Sequence, residues 1–502
     1  MTPVTRAEIA ALLAVAQDHA FGQPPGAQLR ATALGQRIAV AAGAGPAERA
    51  TTWFASALRF LGCTGHSFEL AALFGDEIAL RARSLLIDAA SPAEFVRLTV
   101  ENAGPGRSGI ARLGPIAAAV VTGRRAAESQ FRAACEVADA LAARLGLDVD
   151  VRAALEANFE RWNGRGLPAG VRGEAIPRPM RIAQLAQELE VLARVEGIDA
   201  ARETVRGRRG GAYDPDLTDV TLDGAAAWWA ELDQQDPWDA AIACAPPSLP
   251  LDEAATHEAL LVLADFADLK SPWRAGHSRA VAALAAAADG PLAEAAALVH
   301  DLGCVAVPNT IWDRPGPLTR DERDRVETHA LVTDQLLRRL PGTAALAGVA
   351  AAAHERTDGS GYHRRLGGAG LDAAQRVLAA ADAYQALVSD RPHRPGRSPD
   401  LAARELREQA AAGRLDGEAV ERVLAAAGHR RAARPALPGG LTAREVEVLR
   451  LLAHGRTVRQ VAHELVISPK TAGHHVQHVY AKIGVSTRGA AALWAVENGL
   501  LR

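Results

Sequence analysis

The chain writes nearly the same phrase twice. "FERWNGRGLPAGVRG" begins at Phe159 and "HERTDGSGYHRRLGG" at His354, and a constant offset of 195 residues pairs Glu160 with Glu355, Gly164 with Gly359, Gly166 with Gly361 and Arg181 with Arg376. A duplication limits the fold more than composition does, because each copy must close an equivalent core. Upstream the register shifts: "GQRIAV" (35–40) resembles "GHSRAV" (276–281), and "ALRFLGC" (57–63) resembles "ALVHDLGC" (297–304). The first copy therefore carries an extra stretch somewhere between 80 and 130. Proline-rich "CAPPSLP" (244–250) separates the copies, and "RRAARPALPGG" (430–440) ends the second with a run unsuited to helix. These breaks predict four parts: a first domain over 1–245, a second over 251–429, a Pro/Gly linker over 430–440 and a compact tail over 441–502. At 502 residues the chain exceeds what one core serves.

The composition is 49% hydrophobic but only 4% aromatic, with long Ala, Glu, Arg and Leu stretches that favour helix over strand. An all-α chain is expected. Net charge is −3, which excludes a globally basic nucleic-acid coat but leaves room for a local basic patch. Lys270, Lys470 and Lys482 are the only lysines. Cys63, Cys135, Cys244 and Cys304 show no CxxC spacing, so they read as buried thiols in a reducing cytosol, not as a disulfide framework or zinc finger. The opening "MTPVTRAEIAALL" lacks a basic segment leading into an apolar one, and the Ala-rich run at 280–299 is broken by Asp289, Gly290, Pro291 and Glu294. A cytoplasmic protein with no membrane partner is expected.

Six residues of the second copy are of metal-binding type: His277, the adjacent His300 and Asp301, His329, His354 and Asp382. Imidazole and carboxylate donors suit Fe, Mn or Zn, and a carboxylate can bridge two ions. Apolar sequence such as "AEAAALVHDLG" and "QRVLAAADAY" surrounds them, where a charged Asp needs a partner or an ion. Two ions about 3.5–4 Å apart would activate water and clamp a phosphoryl oxygen.

The motifs "HSRAV", "HDLG", "PNTIWDRPGPLTRDE", "ETHALVTDQLLRRLPG", "HERTDGSGY", "RVLAAADAYQALVSDRPHR" and "GRLDGEAV", over roughly 270–425, resemble the HD superfamily of metal-dependent phosphohydrolases. The resemblance is closest to its HD-GYP branch, whose members typically hydrolyse cyclic di-GMP. It implies an HD-type helical fold, a divalent transition-metal cofactor, expected as dinuclear Fe or Mn, and ligand roles for His277, His300, Asp301, His329, His354 and Asp382, with Asp301 also catalytic. Three positions depart from the family: Cys304 stands where Lys is usual, Ala353–His354 where a double histidine is usual, and Gly361–Tyr362–His363 where GYP is usual. Loss of the lysine removes a phosphate contact, and Lys270, Arg314 and Arg391 are the cations nearby in sequence that would replace it, against a reading of each as a solvated surface residue. Carried back to the first copy, the six positions become Gln36, Arg59, Phe60, Ala134, Phe159 and Gln187, which make no dinuclear site. That copy reads as a degenerate HD-like scaffold or dimerisation surface, ahead of a small-molecule sensor, and its His66 as a surface residue.

The tail starts with "LTAREVEVL" and predicts four short helices. Thr442 and Glu445 fit a capping box, Gly455 a stop, and Ser468–Pro469 the start of a third helix. Val466, Val476, Val479 and Ile483 are expected on the inner face. Between 456 and 488 the charges are Arg456, Arg459, Lys470, Lys482 and Arg488 against Glu464, a local net of +4. Arg459, Lys470, Thr471, His474, Gln477, His478 and Lys482 are the expected contacts to double-stranded DNA, with the third helix in the major groove. From "LTAREVEVL" to the end the tail resembles LuxR-type helix-turn-helix domains, departing at Ala472–Gly473, where a Lys or Arg is usual.

Two functions follow. The first is a transcriptional regulator, expected as a homodimer, whose HD-GYP-like domain senses or hydrolyses a phosphorylated signal such as cyclic di-GMP. The alternative is a metal-dependent cyclic-dinucleotide phosphodiesterase that uses the helix-turn-helix for localisation. Whether the site is enzymatic is left open by the sequence.

Overall fold

Helix-favouring composition becomes helix throughout. In the computed structural model every regular element is an α-helix or a short 3-10 turn, with isolated bridges but no strand among the described residues. Those residues are 3–88, 91–102, 113–429, 438–498 and 500. Most of the expected linker, 430–437, and part of the extra stretch of the first copy lie outside them. Two compact units emerge, Met1–His429 and Arg430–Arg502.

In the larger unit both copies share one continuous apolar core, running from Val4 to Leu424. Its axis is the helix Arg6–Ala20, launched by a Thr5/Glu8 capping box and with 12 of its 15 residues buried. A helix apolar on all sides belongs inside a fold, not on its surface. Its buried polar groups are satisfied: Gln17 donates to the Ala57 carbonyl and accepts from the Phe60 N–H, and Asp18 accepts the N–H groups of Gly26 and Gln28. The chain after the proline-rich connector returns to this helix's start, where the Leu251 N–H donates to the Val4 carbonyl at 2.7 Å.

The repeat is structural as well as textual. Gly164 and Gly359 have φ of 75° and 76°. Glu160 and Glu355 are both buried, and each carboxylate accepts two backbone N–H groups from the loop that follows, Ala169 and Gly170 in one copy, Arg364 and Leu366 in the other. A Cβ at Gly62 would collide with the Ala134 carbonyl, and a Cβ at Gly303 with the His329 carbonyl. The same close approach thus survives in both copies, with alanine standing where the second copy has histidine.

Four residues sit differently from expectation. Lys270, expected on the surface, is 1% exposed, with its ammonium 2.6 Å from Glu77 Oε1 of the first copy. Both oxygens of that carboxylate also accept the Asn309 N–H, and the Asn309 amide donates to the Lys270 carbonyl. His66 is buried as well, and burial pushes its imidazole down to about 3. Val466 is 91% exposed with a positive φ, because it occupies the turn between two tail helices and not their inner face. Arg314 pairs with Glu322.

In the smaller unit the capping box at Thr442 and Glu445 forms, and a second, at Thr457 and Gln460, starts the next helix. Helices span Ala443–Ala453, Val458–Glu464, Pro469–Ile483 and Arg488–Glu497. Val479 is buried with Leu441, Val446 and Leu449, while Val476 and Ile483 are partly buried against the same small cores.

Removing one partner of a buried ion pair leaves the other charge uncompensated, at about 3–5 kcal/mol. Lys270→Ala should therefore lower the unfolding midpoint strongly, whereas Lys270→Met combined with Glu77→Gln, which keeps an acceptor for Asn309, should recover most of the loss. Thermal and denaturant melts of the full chain check this. Equal loss in the single and double variants would show that the pair is not the cause.

Candidate metal centre

Five chain segments deliver the six expected ligands to one buried point. Asp268, the last residue of the helix Glu253–Asp268, accepts the Ser278 N–H at 2.8 Å and its hydroxyl at 2.9 Å. This pins the first turn of the helix His277–Asp289, and with it His277. His300 and Asp301 leave the end of the helix Pro291–Val299. His329 lies within Arg320–Arg338, His354 follows Ala344–Ala350, and Asp382 lies within Ala373–Val388. Thr333 ties two of these segments, its hydroxyl donating to the His300 carbonyl at 3.1 Å and accepting the Gly303 N–H at 2.9 Å.

The donors fall into two groups, His277 with His300 and Asp382, and Asp301 with His329 and His354, the ligand atoms of each lying within 4.8 Å of one another. Both carboxylates face both groups. Asp301 Oδ1 is 3.3 Å from His329 Nε2 and 3.5 Å from His354 Nε2, while its Oδ2 is 3.0 Å from His300 Nε2 and 3.7 Å from His277 Nε2. Asp382 Oδ1 is 3.2 Å from His277 Nε2, and its Oδ2 is 3.3 Å from His354 Nδ1.

Backbone carbonyls orient the imidazoles. His300 Nδ1 donates to the Ala297 carbonyl at 2.7 Å and His329 Nδ1 to that of Val326 at 2.5 Å, so Nε2 of each ring is the atom that faces the carboxylates. His300 Nε2, His329 Nε2 and His277 Nδ1 are buried without a hydrogen-bond partner. His300 Nε2 is close to Asp301 but outside hydrogen-bond geometry. The unpartnered Nε2 atoms of His300 and His329, each facing Asp301, are the chemistry of a divalent-metal site, and the donor set fits one.

Arg274 was not expected here. It is buried, its guanidinium pairs with Asp301 Oδ2, and it lies 5.2 Å over the Trp312 ring. Burial opposes its charge, but the Asp301 and Asp268 carboxylates outweigh burial and hold it well above the usual range. The signal lay in "SPWRAGH" beside the loss of lysine at 304: an apolar centre that gives up one cation needs another. Cys304 itself is fully buried, and burial drives its thiol far up, so it carries no charge. Tyr362 stacks on His354 with ring centres 5.0 Å apart.

The three cations expected to meet phosphate part ways. Lys270 is committed to Glu77 and Arg314 to Glu322. Arg391 is half-buried; burial and the Arg274 charge push its guanidinium down, and the Asp382 and Asp301 charges oppose that shift. In the first copy the equivalent space is filled: Phe60 stacks on Phe21 and Phe159 on Phe131, each with centroids 4.2 Å apart, and Arg59 donates to the Asn158 side chain at 2.7 Å.

In the tail, Ser468 caps the helix Pro469–Ile483 by accepting the Thr471 N–H. Lys470, Thr471, His474, Gln477 and His478 are exposed along that helix, and Arg459 is exposed on the preceding one. Lys482, although exposed, has its ammonium 2.7 Å from the Glu445 carboxylate, and Arg456 pairs with Glu464 at 2.8 Å. Glu445 is nearly buried; burial would raise its carboxyl, but Lys482 and the Thr442 N–H hold it down to about 2. Lys482 is therefore a structural tie as well as an expected DNA contact.

Two family profiles match the chain: "HD domain" over residues 261–419, and "Bacterial regulatory proteins, luxR family" over 440–495. The chain is 30% identical over 417 residues to the 3'3'-cGAMP-specific phosphodiesterase 3 of Vibrio cholerae, covering 79% of this chain and 89% of the relative. It is also 37% identical over 113 residues to the cyclic di-GMP phosphodiesterase response regulator RpfG of Xanthomonas campestris, covering 22% of this chain and 29% of the relative. A crystal structure of a cyclic GMP-AMP specific phosphodiesterase of V. cholerae (V-cGAP3) superimposes with a TM-score of 0.59 at 26% identity, covering 86% of this chain and 99% of that one. Among the described residues no helix is long and apolar enough to cross a membrane.

Because Asp301 touches both donor groups and His329 only one, their replacements should differ. Asp301→Asn should strip metal from both groups, and His329→Ala should leave the ion of the His277 group in place, as elemental analysis of purified protein would reveal. Identical losses would mean that the groups are not separate positions.

Proposed function

From the premise that this chain belongs to the HD-domain family, in its HD-GYP branch, and ends in a luxR-family DNA-binding domain, we propose that it is a DNA-binding regulator whose second repeat holds two divalent ions, Fe or Mn, and hydrolyses a 3',3'-linked cyclic dinucleotide. The observation that carries this reading is the pair of buried carboxylates, each facing both imidazole groups. On this reading 1–245 is the degenerate repeat, 251–429 the metal-binding repeat and 441–502 the reading head.

His277, His300 and Asp382 would hold one ion and Asp301, His329 and His354 the other. Two bound ions would supply a water whose pKa falls toward about 7 and would neutralise charge on a phosphoryl oxygen. The chain's own groups do the rest. The carbonyls of Ala297 and Val326 keep the Nδ1 protons of His300 and His329, leaving Nε2 free to ligate. Arg274 fixes the orientation of Asp301 through its Oδ2. Arg391 is the cation best placed to receive the phosphodiester, since Cys304 is neutral and Lys270 is paired elsewhere.

Metal-loaded protein should open 3',3'-cyclic GMP-AMP or cyclic di-GMP to the linear dinucleotide, and His300→Ala with Asp301→Ala should abolish both metal content and hydrolysis. Nucleotide binding by protein that takes up no metal would instead make the second repeat a sensor alone.

For the tail, Lys470→Ala should weaken binding to all duplex sequences alike and lower the slope of log affinity against log salt by about 1. Lys482→Ala should act through the stability of the tail by freeing Glu445. Sequence-selective loss at Lys470, or an unchanged salt slope, would remove it from the phosphate contacts.

The localisation reading has its own support, since a relative named as a phosphodiesterase covers 79% of the chain. DNA affinity that is indifferent to saturating cyclic dinucleotide would favour it over regulation.

A further inference from the structure

Beside the metal centre lies an open cleft of about 360 Å³, with walls from Trp273 and Gly276 on one side and Gln385, Ser389 and Asp390 on the other, and with His277 reaching into its lining. That size is within the range of small-molecule sites. The two walls differ in chemistry. Trp273 is 38% exposed and belongs to no apolar cluster of the fold, although a tryptophan ring is among the costliest side chains to leave in water. The opposite wall is the end of the helix Ala373–Val388, which also carries Asp382. There Gln385 donates to the Ser389 hydroxyl at 3.1 Å, and Asp390 Oδ1 accepts the Gly396 N–H at 2.7 Å. The loop is thereby held, and Asp390 Oδ2 has no partner among the described residues. In the next residue, Arg391, burial and Arg274 push the guanidinium down against the opposing charges of Asp382 and Asp301.

We propose that this cleft is the nucleobase subsite of the substrate, with Trp273 stacking on a purine and Asp390 accepting the paired N–H donors of a guanine edge. This deepens the reading of the second repeat as a cyclic-dinucleotide site and rests on it. A carboxylate repels phosphate, so Asp390 does not belong to a phosphate pocket, whereas Arg391 beside it does not share that objection. The N1–H and N2–H groups of guanine present two donors side by side, which match a carboxylate's two oxygens; adenine presents one donor next to an acceptor that the carboxylate opposes. His277 in the lining places the base next to the ion position, one nucleotide's reach from the scissile phosphate. The specificity of the site then comes from Trp273 and Asp390, which are not metal ligands.

The test uses the full-length protein as purified and mononucleotides, so that binding is read without hydrolysis. In calorimetric titrations 5'-GMP should bind more tightly than 5'-AMP. Trp273→Ala should weaken GMP binding about ten- to hundredfold, the range of one lost base stack, and Trp273→Phe should retain most of it. Asp390→Asn should erase the preference for GMP over AMP. Metal content equal to wild type in each variant shows that the fold and the centre are intact. The inference is overturned if the wild type binds neither mononucleotide, if Trp273→Ala binds GMP as the wild type does, or if the GMP to AMP ratio survives Asp390→Asn. Hydrolysis of bis(p-nitrophenyl) phosphate, which has no base, tests the metal centre separately. Failure there with GMP binding as expected sinks the hydrolase reading and leaves the subsite standing.

Discussion

Asp301 is a buried carboxylate between two sets of imidazoles, and the second repeat is arranged around the need to compensate its charge. An ionised group cannot remain in such a place without partners. One oxygen meets Arg274 and the His277–His300 side, and the other meets His329 and His354. The backbone makes room for this: the loop carrying Asp301 lies so close to the His329 helix that residue 303 has no space for a side chain. Arg274 adds a cation that the Cys304 thiol cannot supply, and it lies over the Trp312 ring.

The first repeat shows what the scaffold does once that charge is absent. Phe60 occupies the place of Asp301, so no cluster of imidazoles is needed, and rings at Phe21, Phe131 and Phe159 fill the volume by stacking. The glycine turn and the buried Glu160 persist because they satisfy backbone N–H groups, a requirement that does not depend on metal. This copy nevertheless contributes charge to its neighbour. Glu77 neutralises Lys270, and Arg144 bridges Glu258 and Asp265 of the first helix of the second repeat. These ties, with the shared core around the helix Arg6–Ala20, make it a structural partner of the half that holds the donor cluster.

Much of this was legible in the sequence because it was written in spacing. The offset of 195 residues matched glycine with glycine, and six donor residues in a helical, apolar setting could be named before any coordinates. What escaped depended on three-dimensional neighbours. Nothing in "DLKSPWRAGH" says that Lys270 points toward a glutamate 193 residues earlier while Arg274 turns to Asp301. Val466 fits an apolar pattern but falls in a turn with a left-handed backbone, where periodicity has no meaning. His66 resembled a surface histidine only because its local sequence is polar, whereas its burial comes from segments distant in sequence. Local charge counting likewise overstated the tail, since Glu445 lies outside the 456–488 window yet takes up Lys482.

That correction changes how the tail can hold DNA. Of the five cations between 456 and 488, Arg456 and Lys482 have acidic partners, leaving Arg459, Lys470 and Arg488 without one among the described residues. Three neutralised phosphates give a salt slope of about 3 per tail, well short of what 6–10 contacts provide. Gly473 adds nothing, although a Cβ there would meet no neighbour, so the space for a further contact is open and unused. If these three cations made all of its phosphate contacts, a single tail would be a weak ligand of duplex DNA. Two tails joined through their larger units would double the phosphate contacts and raise the effective concentration of the second binding event.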